Sequence, residues 1–240
     1  MDEKFLSGLR DLLQEQCRLP PLPHGWLSTS AMLSAHGFDY GGDFFVADLV
    51  ETPDGSSRLS MVLVDVCGKG ATALPDAVQF AGALRGLIVA VPEDQLLESA
   101  NAYLMKQPSD ESIATAVQVV VDLLTGIYSI RSAGHPPVLH WQVDAGGWEV
   151  DNARGTALGV VEDPHFSVST GVLPPGGALL FYTDGVVEWH TADIDTGIDW
   201  LRSAAREAVR DAGMRALPAR ILEQVTRGDD DRAVLVLARE

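Results

Sequence analysis

Two kinds of residue are scarce in this sequence, cysteine and the basic amino acids. Only Cys17 and Cys67 occur, which is too few for a disulfide framework or a cysteine-rich zinc site and is typical of a reducing compartment. The 17 lysine and arginine residues are outnumbered by 34 aspartate and glutamate residues, so the formal net charge is −17. Because nucleic-acid binding depends mainly on lysine and arginine, this balance argues against a nucleic-acid partner.

Long hydrophobic runs are also missing. No stretch of about 18 apolar residues could span a bilayer, and the charged start at residues 1–4 lacks the form of a signal peptide. We therefore expect a cytoplasmic protein without a membrane partner. The hydrophobic fraction of 46% predicts a globular core. We expect one domain over 1–240, with an amphipathic helix in 1–19 leading a larger unit at 20–240.

The order of the apolar patterns predicts the fold class. Strand-like runs come in groups interrupted by helices, which argues against the strict alternation of a doubly wound parallel sheet. We expect an α+β fold: an antiparallel β-sandwich flanked by helices, with a hairpin at 43–66 and a meander at 113–151. The predicted strands are 27–35, 43–51, 59–66, 113–124, 126–132, 137–143, 148–151, 166–170, 178–182 and 233–238, and the predicted helices are 5–17, 70–89, 93–106, 198–210 and 219–227.

Four acidic segments share one local pattern, an aspartate at the edge of an apolar strand beside glycine or another aspartate. They are 41–43 (Gly-Gly-Asp), 65–68 (Asp-Val-Cys-Gly), 183–185 (Thr-Asp-Gly) and 229–231 (Asp-Asp-Asp). One such aspartate alone is typical of a turn in which the side chain bonds its own backbone. If the four strand ends meet, however, their charges repel unless cations neutralise them. Oxygen ligands without cysteine or histidine favour Mg²⁺ or Mn²⁺, and two such ions can share a bridging water and bind a phosphoryl oxygen.

Five ordered motifs connect the sequence to a known family: 41–45 (GGDFF), 65–70 (DVCGKG), 132–137 (SAGHPP), 180–185 (LFYTDG) and 230–232 (DDR). Over roughly residues 5–240 the chain resembles the stage II sporulation protein E phosphatase family, the bacterial branch of the protein phosphatase 2C superfamily. The resemblance implies the protein phosphatase 2C-like αββα sandwich, a centre of two Mn²⁺ or Mg²⁺ ions, and hydrolysis of phosphoserine or phosphothreonine on a protein.

The resemblance also implies roles for individual residues. Matched by motif, Asp43 and Asp65 would ligate or bridge both ions, and the carbonyl of Val66 would add a backbone oxygen. Asp184 and Asp230 would complete the second ion's site, with Asp231 as the alternative in the run of three aspartates. Asp43, Asp65 and Asp184 are the expected catalytic residues.

The chain departs from the family pattern at three positions. The family often has an aspartate where this chain has Val46, and a serine and a histidine where Cys67 and Lys69 stand. Lys69 is a candidate phosphate contact, because backbone N–H groups at the start of a following helix favour anions. A solvated loop lysine is the equally open alternative.

The partner expected from the resemblance is a phosphorylated regulatory protein of the anti-sigma-factor antagonist type. The sensing input is expected either to be missing or to be supplied by another chain, a separate sensor or activator protein. A catalytically silent phosphoprotein-binding domain of the same fold is the competing hypothesis, although all four aspartate segments are retained. A metal-dependent nuclease is disfavoured by the acidic net charge.

Overall fold

The computed structural model describes residues 3–33, 41–51, 55–68, 72–108, 112–188, 193–225 and 230–240. Within these ranges the chain forms five α-helices and ten strands. The helices are α1 (Glu3–Gln16), α2 (Leu74–Ala90), α3 (Leu96–Leu104), α4 (Ile194–Ala212) and α5 (Leu217–Gln224). The strands are β1 (Trp26–Leu33), β2 (Asp43–Glu51), β3 (Ser57–Val66), β4 (Ala114–Asp122), β5 (Ile127–Ala133), β6 (Leu139–Gln142), β7 (Gly147–Val150), β8 (Val168–Val172), β9 (Ala178–Tyr182) and β10 (Arg232–Arg239).

The strands build two antiparallel sheets that pack face to face. Sheet A has the order β1-β10-β9-β6-β7, and sheet B has the order β2-β3-β4-β5-β8. Alternation along β10 shows the layering, since side chains of a strand point to opposite faces in turn. Leu235 and Leu237 belong to the core that the two sheets share, whereas Val234 and Val236 pack with residues of α4 and α5. The predicted α+β sandwich is confirmed.

Helices cover the outer faces of both sheets. On sheet B, the ring of Phe44 in β2 meets the ring of Phe80 in α2 edge to face, with centroids 6.0 Å apart. Leu13 of α1 packs in the same core. The domain limits 1–240 stay a prediction. On sheet A, α4 begins at Asp193, whose side chain caps the helix by accepting from the Thr196 N–H. No helix in the described ranges combines the length and the apolar character needed to cross a bilayer.

The predicted meander at 113–151 is wrong. Strands β4 and β5 pair in sheet B, whereas β6 and β7 pair in sheet A, so the chain changes sheets between Ala133 and Leu139. The sequence of this crossing explains the change. Gly134 adopts a φ of 70°, and Pro136 and Pro137 have no N–H to donate, so the segment cannot extend the ladder of β5. The predicted hairpin is confirmed, because β2 and β3 pair along their whole lengths.

Candidate metal centre

Asp43 and Asp65 lie directly opposite each other where β2 begins and β3 ends. The Val66 N–H donates to the Gly42 carbonyl at 3.3 Å, which makes Asp43 and Asp65 the neighbouring pair without backbone hydrogen bonds. Side chains are closest in such pairs. Because Phe44 points outward to α2, the alternation of the strand directs Asp43 inward, between the sheets. Two carboxylates placed this way repel each other.

Electrostatics confirm that the acidic side chains are crowded. Burial raises the pKa of Asp43, which is only 3% exposed, well above its usual range, and the charge of Asp65 raises it further. Burial also raises the pKa of Asp65 to about 8, and the charges of Asp184, Asp230 and Asp231 act in the same direction. These carboxylates resist being ionised together, a penalty that a bound cation would remove.

Thr183 connects the two sheets at this site. Its Oγ1 donates to Asp43 Oδ2 at 2.7 Å and accepts from the Ala233 N–H at 2.8 Å. The side chain is fully buried at the end of β9. Sequence reasoning gave Thr183 no role. A signal was nevertheless present, because Thr183 is in phase with Leu179 and Phe181, which face the shared core.

Asp231 reaches across to the start of β2. Its Oδ2 accepts from the Gly42 N–H at 2.6 Å. A Cβ at Gly41 would overlap the Asp231 carboxylate, so only glycine leaves room for it. Asp230 is half-buried, and its Oδ1 accepts from the Asp231 N–H at 3.1 Å. Asp230 and Asp231, the two alternatives that the sequence left open, therefore both lie at the site. The carboxylate that contacts the Gly42 N–H before β2 is that of Asp231.

Asp184 and Val66 are the remaining predicted ligand residues that the structure describes. Asp184 opens a single 3₁₀ turn, in which its carbonyl accepts from the N–H groups of Val187 and Glu188. A Cβ at Gly185 would overlap the Asp231 carbonyl, which explains the glycine after Asp184. The Val66 carbonyl oxygen would lie 2.7 Å from a Cβ at Gly42, so it lies beside the glycine whose N–H bonds Asp231. Lys69 lies outside the described residues.

The donor set fits a hard divalent cation. Carboxylates and a backbone carbonyl are oxygen ligands of the kind that Mg²⁺ and Mn²⁺ prefer, and glycines leave the space open. In the described ranges, however, no three acidic, histidine or cysteine side chains are already arranged around a common point. Asp43 and Asp231 are instead bonded to Thr183 and Gly42. Binding a cation therefore requires these side chains to share or leave their present hydrogen-bond partners.

A groove of about 270 Å³ opens beside Asp184. Thr115, His135, Arg154 and the first turn of α4 contribute to its lining. Burial lowers the pKa of His135 to about 3, and its Nδ1 lies 2.8 Å from Thr115 Oγ1, so this histidine is neutral and holds the crossing between the sheets. Arg154 gives the groove a basic side chain next to the acidic centre.

Comparison with known proteins identifies the family. The family model described as Stage II sporulation protein E matches residues 55–240. This chain belongs to the Stage II sporulation protein E family. The chain is 36% identical over 74 residues to the phosphoserine phosphatase RsbP of Bacillus subtilis. That match covers 31% of this chain and 18% of RsbP, so the chain spans less than a fifth of that relative.

Solved structures place the family member in a known fold. The RsbU and RsbW domains of Rv1364c from Mycobacterium tuberculosis are 28% identical, with a TM-score of 0.76 over 90% of this chain and 60% of that chain. The PP2C phosphatase domain of SpoIIE from Bacillus subtilis, with a fragment of its regulatory domain, is 18% identical. Its TM-score is 0.74 over 89% of this chain and 63% of that chain. The predicted protein phosphatase 2C-like fold is confirmed.

Proposed function

We propose that this chain is a divalent-cation-dependent phosphatase that hydrolyses phosphoserine or phosphothreonine on a regulatory protein. The observation that carries the proposal is the convergence of carboxylates from the start of β2, the end of β3, the turn after β9 and the start of β10. Family membership and the similarity to RsbP, which is named a phosphoserine phosphatase, support the reaction class.

Six positions would hold two Mn²⁺ or Mg²⁺ ions. The proposed ligands are Asp43, Asp65, Asp184, Asp231, the Val66 carbonyl and, in place of or beside Asp231, Asp230. Two such ions, when bound, lower the pKa of a water nucleophile and neutralise charge on a phosphoryl group. Burial and the neighbouring acidic charges raise the pKa of Asp65, and bound cations would offset both effects.

The residues around the centre position these ligands. Thr183 engages Oδ2 of Asp43 and thereby leaves Oδ1 to face a cation. Gly42 orients Asp231 in the same way through its N–H. Asp65 must give up its proton when a cation binds, so the affinity for metal rises with pH up to about pH 8. Arg154, beside Asp184, is placed to contact the phosphorylated partner.

The proposed partner is a phosphorylated protein of the anti-sigma-factor antagonist type. The family resemblance of the sequence motifs and the similarity to RsbP and to an RsbU domain support this substrate class. Regulation of transcription would then follow without contact with DNA. A separate sensor or activator protein is the proposed source of the signal.

A hydrolysis assay tests the proposal. We expect the chain to hydrolyse p-nitrophenyl phosphate and a phosphoserine peptide with Mn²⁺, and to lose this activity with a chelator. The matched control is Asp122→Asn, because Asp122 lies at the end of β4, half-buried, and accepts from the N–H groups of Leu124 and Thr125. Activity that survives chelation would refute the metal mechanism. A folded chain without activity in Mn²⁺ would instead support the catalytically silent alternative.

A further inference from the structure

A second groove lies on the outer face of sheet B, apart from the aspartate site. Its volume is about 650 Å³, within the range of roughly 300–1,000 Å³ that is typical of small-molecule sites. Strands β2, β3, β4, β5 and β8 all contribute to its floor. Ile88, Val89, Val91 and Pro92 form an apolar wall where α2 ends. The described residues that line it do not include any member of the aspartate site.

Two polar atoms on the floor of this groove lack partners. Ser60 is 3% exposed and Gln118 is 2% exposed, and neither Ser60 Oγ nor Gln118 Oε1 has a hydrogen-bond partner among the described residues. The Nε2 of Gln118 donates to the Glu93 carbonyl at 2.8 Å, which fixes the amide so that Oε1 is the unused acceptor. A buried acceptor without a donor costs free energy. A ligand that forms hydrogen bonds with both atoms would remove this cost.

Both arginines at the rim of the groove are already paired. Arg58 lies 3.3 Å from Glu93, and Arg131 lies 3.3 Å from Glu98. Arg131 also donates to the Asp94 carbonyl at 2.8 Å. An ionised ligand would lose its hydration and would have to compete with these carboxylates for the arginines. The groove therefore favours a neutral ligand.

We propose that this groove binds a neutral small molecule with a flat apolar body and an amide edge. The N–H of the ligand donates to Gln118 Oε1, which can only accept, and its carbonyl accepts from the Ser60 hydroxyl. Ser60 and Gln118 suit a single amide because they are diagonal neighbours on one face of the β3–β4 pair. The body packs against the wall formed by Val91 and Pro92. This binding does not depend on the phosphatase reaction.

Saturation-transfer NMR tests the proposal with benzamide as the probe and benzoate as its ionised counterpart. We expect benzamide to bind with a Kd of about 1 mM, as is usual for a molecule of this size. Gln118→Leu should weaken benzamide at least about tenfold and Ser60→Ala about threefold, because each removes one partner of the amide. The matched control, Gln142→Leu in β6, should leave the Kd unchanged. Benzoate should bind more weakly than benzamide.

Three results would overturn the proposal. Benzamide that gives no signal at about 20 mM would mean that water alone satisfies the two atoms. An equal Kd for Gln118→Leu and the wild type would place the probe elsewhere. Benzoate binding as tightly as benzamide would show that the rim arginines, rather than the floor, select the ligand. Melting curves verify that each variant is folded, and if Gln118→Leu does not fold, Ser60→Ala decides the question.

Discussion

Asp43 and Asp151 are both almost completely buried, yet their surroundings are opposite. Burial and the charge of Asp65 raise the pKa of Asp43, and the hydrogen bond that it receives from Thr183 offsets only part of that shift. Asp151 lies just after β7 and accepts from the Ala153 N–H at 2.7 Å. Burial alone would raise its pKa, but its hydrogen-bond donors outweigh that effect and hold the pKa below the usual range.

The donors of Asp151 come from both sheets. Its Oδ2 lies 3.0 Å from His140 Nε2 in sheet A and accepts from Ser169 Oγ in sheet B at 2.6 Å. His140 Nδ1 in turn lies 2.9 Å from the Tyr128 hydroxyl of sheet B. We call these four residues the polar clasp. The His140 ring thereby lies between the Asp151 carboxylate and the Tyr128 hydroxyl, and the polar clasp joins the two sheets through polar side chains.

The contrast separates structural from functional buried acids. A carboxylate surrounded by donors stabilises the fold and has nothing left to offer a ligand. A carboxylate that faces other carboxylates destabilises the fold until a cation arrives. The polar clasp therefore stabilises the fold, whereas the aspartate site destabilises it without a cation. Substitutions in the two should change the free energy of unfolding in opposite directions.

The largest expected effect is on catalysis. Asp65→Asn should lower kcat by about 10³-fold or more in Mn²⁺, because a proposed ligand of the nucleophile's cation is lost. Asp151→Asn, measured well below its melting temperature, should keep kcat within about threefold. Steady-state kinetics with a phosphoserine peptide measure both. A loss below tenfold for Asp65→Asn would remove Asp65 from the catalytic residues.

The pH dependence of stability should have opposite signs at the two aspartates. In metal-free protein the pKa of Asp65 is about 8, above its value of about 3.8 in the unfolded chain, so the native state binds more protons. Stability from this group is present below pH 4 and is lost as the pH rises to 8. The lowered pKa of Asp151 has the reverse effect, since its contribution is present above pH 4 and is lost in acid.

Melting temperatures between pH 4 and 8, with chelator present, check the prediction for Asp65. Asp65→Asn should flatten the decline that the wild type shows toward pH 8. A wild type whose melting temperature is constant over this window would show that the carboxylates do not repel in the metal-free protein.

Removal of the clasp should destabilise the fold directly. Asp151→Ala leaves the buried N–H of Ala153 and the donors of His140 and Ser169 unsatisfied, and should lower the free energy of unfolding by about 2–3 kcal/mol. Asp43→Asn should instead raise it in metal-free buffer, since the cost of burying a charge next to Asp65 is removed. Urea denaturation measures both, and changes of the same sign would contradict the comparison.

The smallest effect comes from a glycine. Gly41→Ala pushes the Asp231 carboxylate away from Gly42, and should lower kcat in Mn²⁺ about tenfold. The matched control is Gly8→Ala in the exposed part of α1, where a Cβ meets nothing within 4 Å. That control should leave kcat unchanged and should stabilise the helix by about 0.5–1 kcal/mol. Equal kcat values for the two variants would mean that Asp231 is not held by this contact.

Much of this organisation follows from local sequence patterns. The continuous apolar run of β10, and the glycines beside Asp43 and Asp184, predict strands that end in acidic groups. The bond from Thr183 to Asp43 spans 140 residues and depends on how the sheets face each other, which local patterns do not specify. The choice between Asp230 and Asp231 needs the register of β10. The polar clasp is equally hidden, because its members come from four separate segments.

The central claim is that the crowded aspartates are a site for divalent cations, and direct Mn²⁺ binding tests it without any assay of activity. Electron paramagnetic resonance of unbound Mn²⁺ gives the number of bound ions and their Kd for the wild type, Asp65→Asn and Asp151→Asn. We predict two ions for the wild type and for Asp151→Asn, and an affinity at least about tenfold weaker for Asp65→Asn. Equal binding by Asp65→Asn and the wild type, or no binding by the folded wild type, would contradict the account.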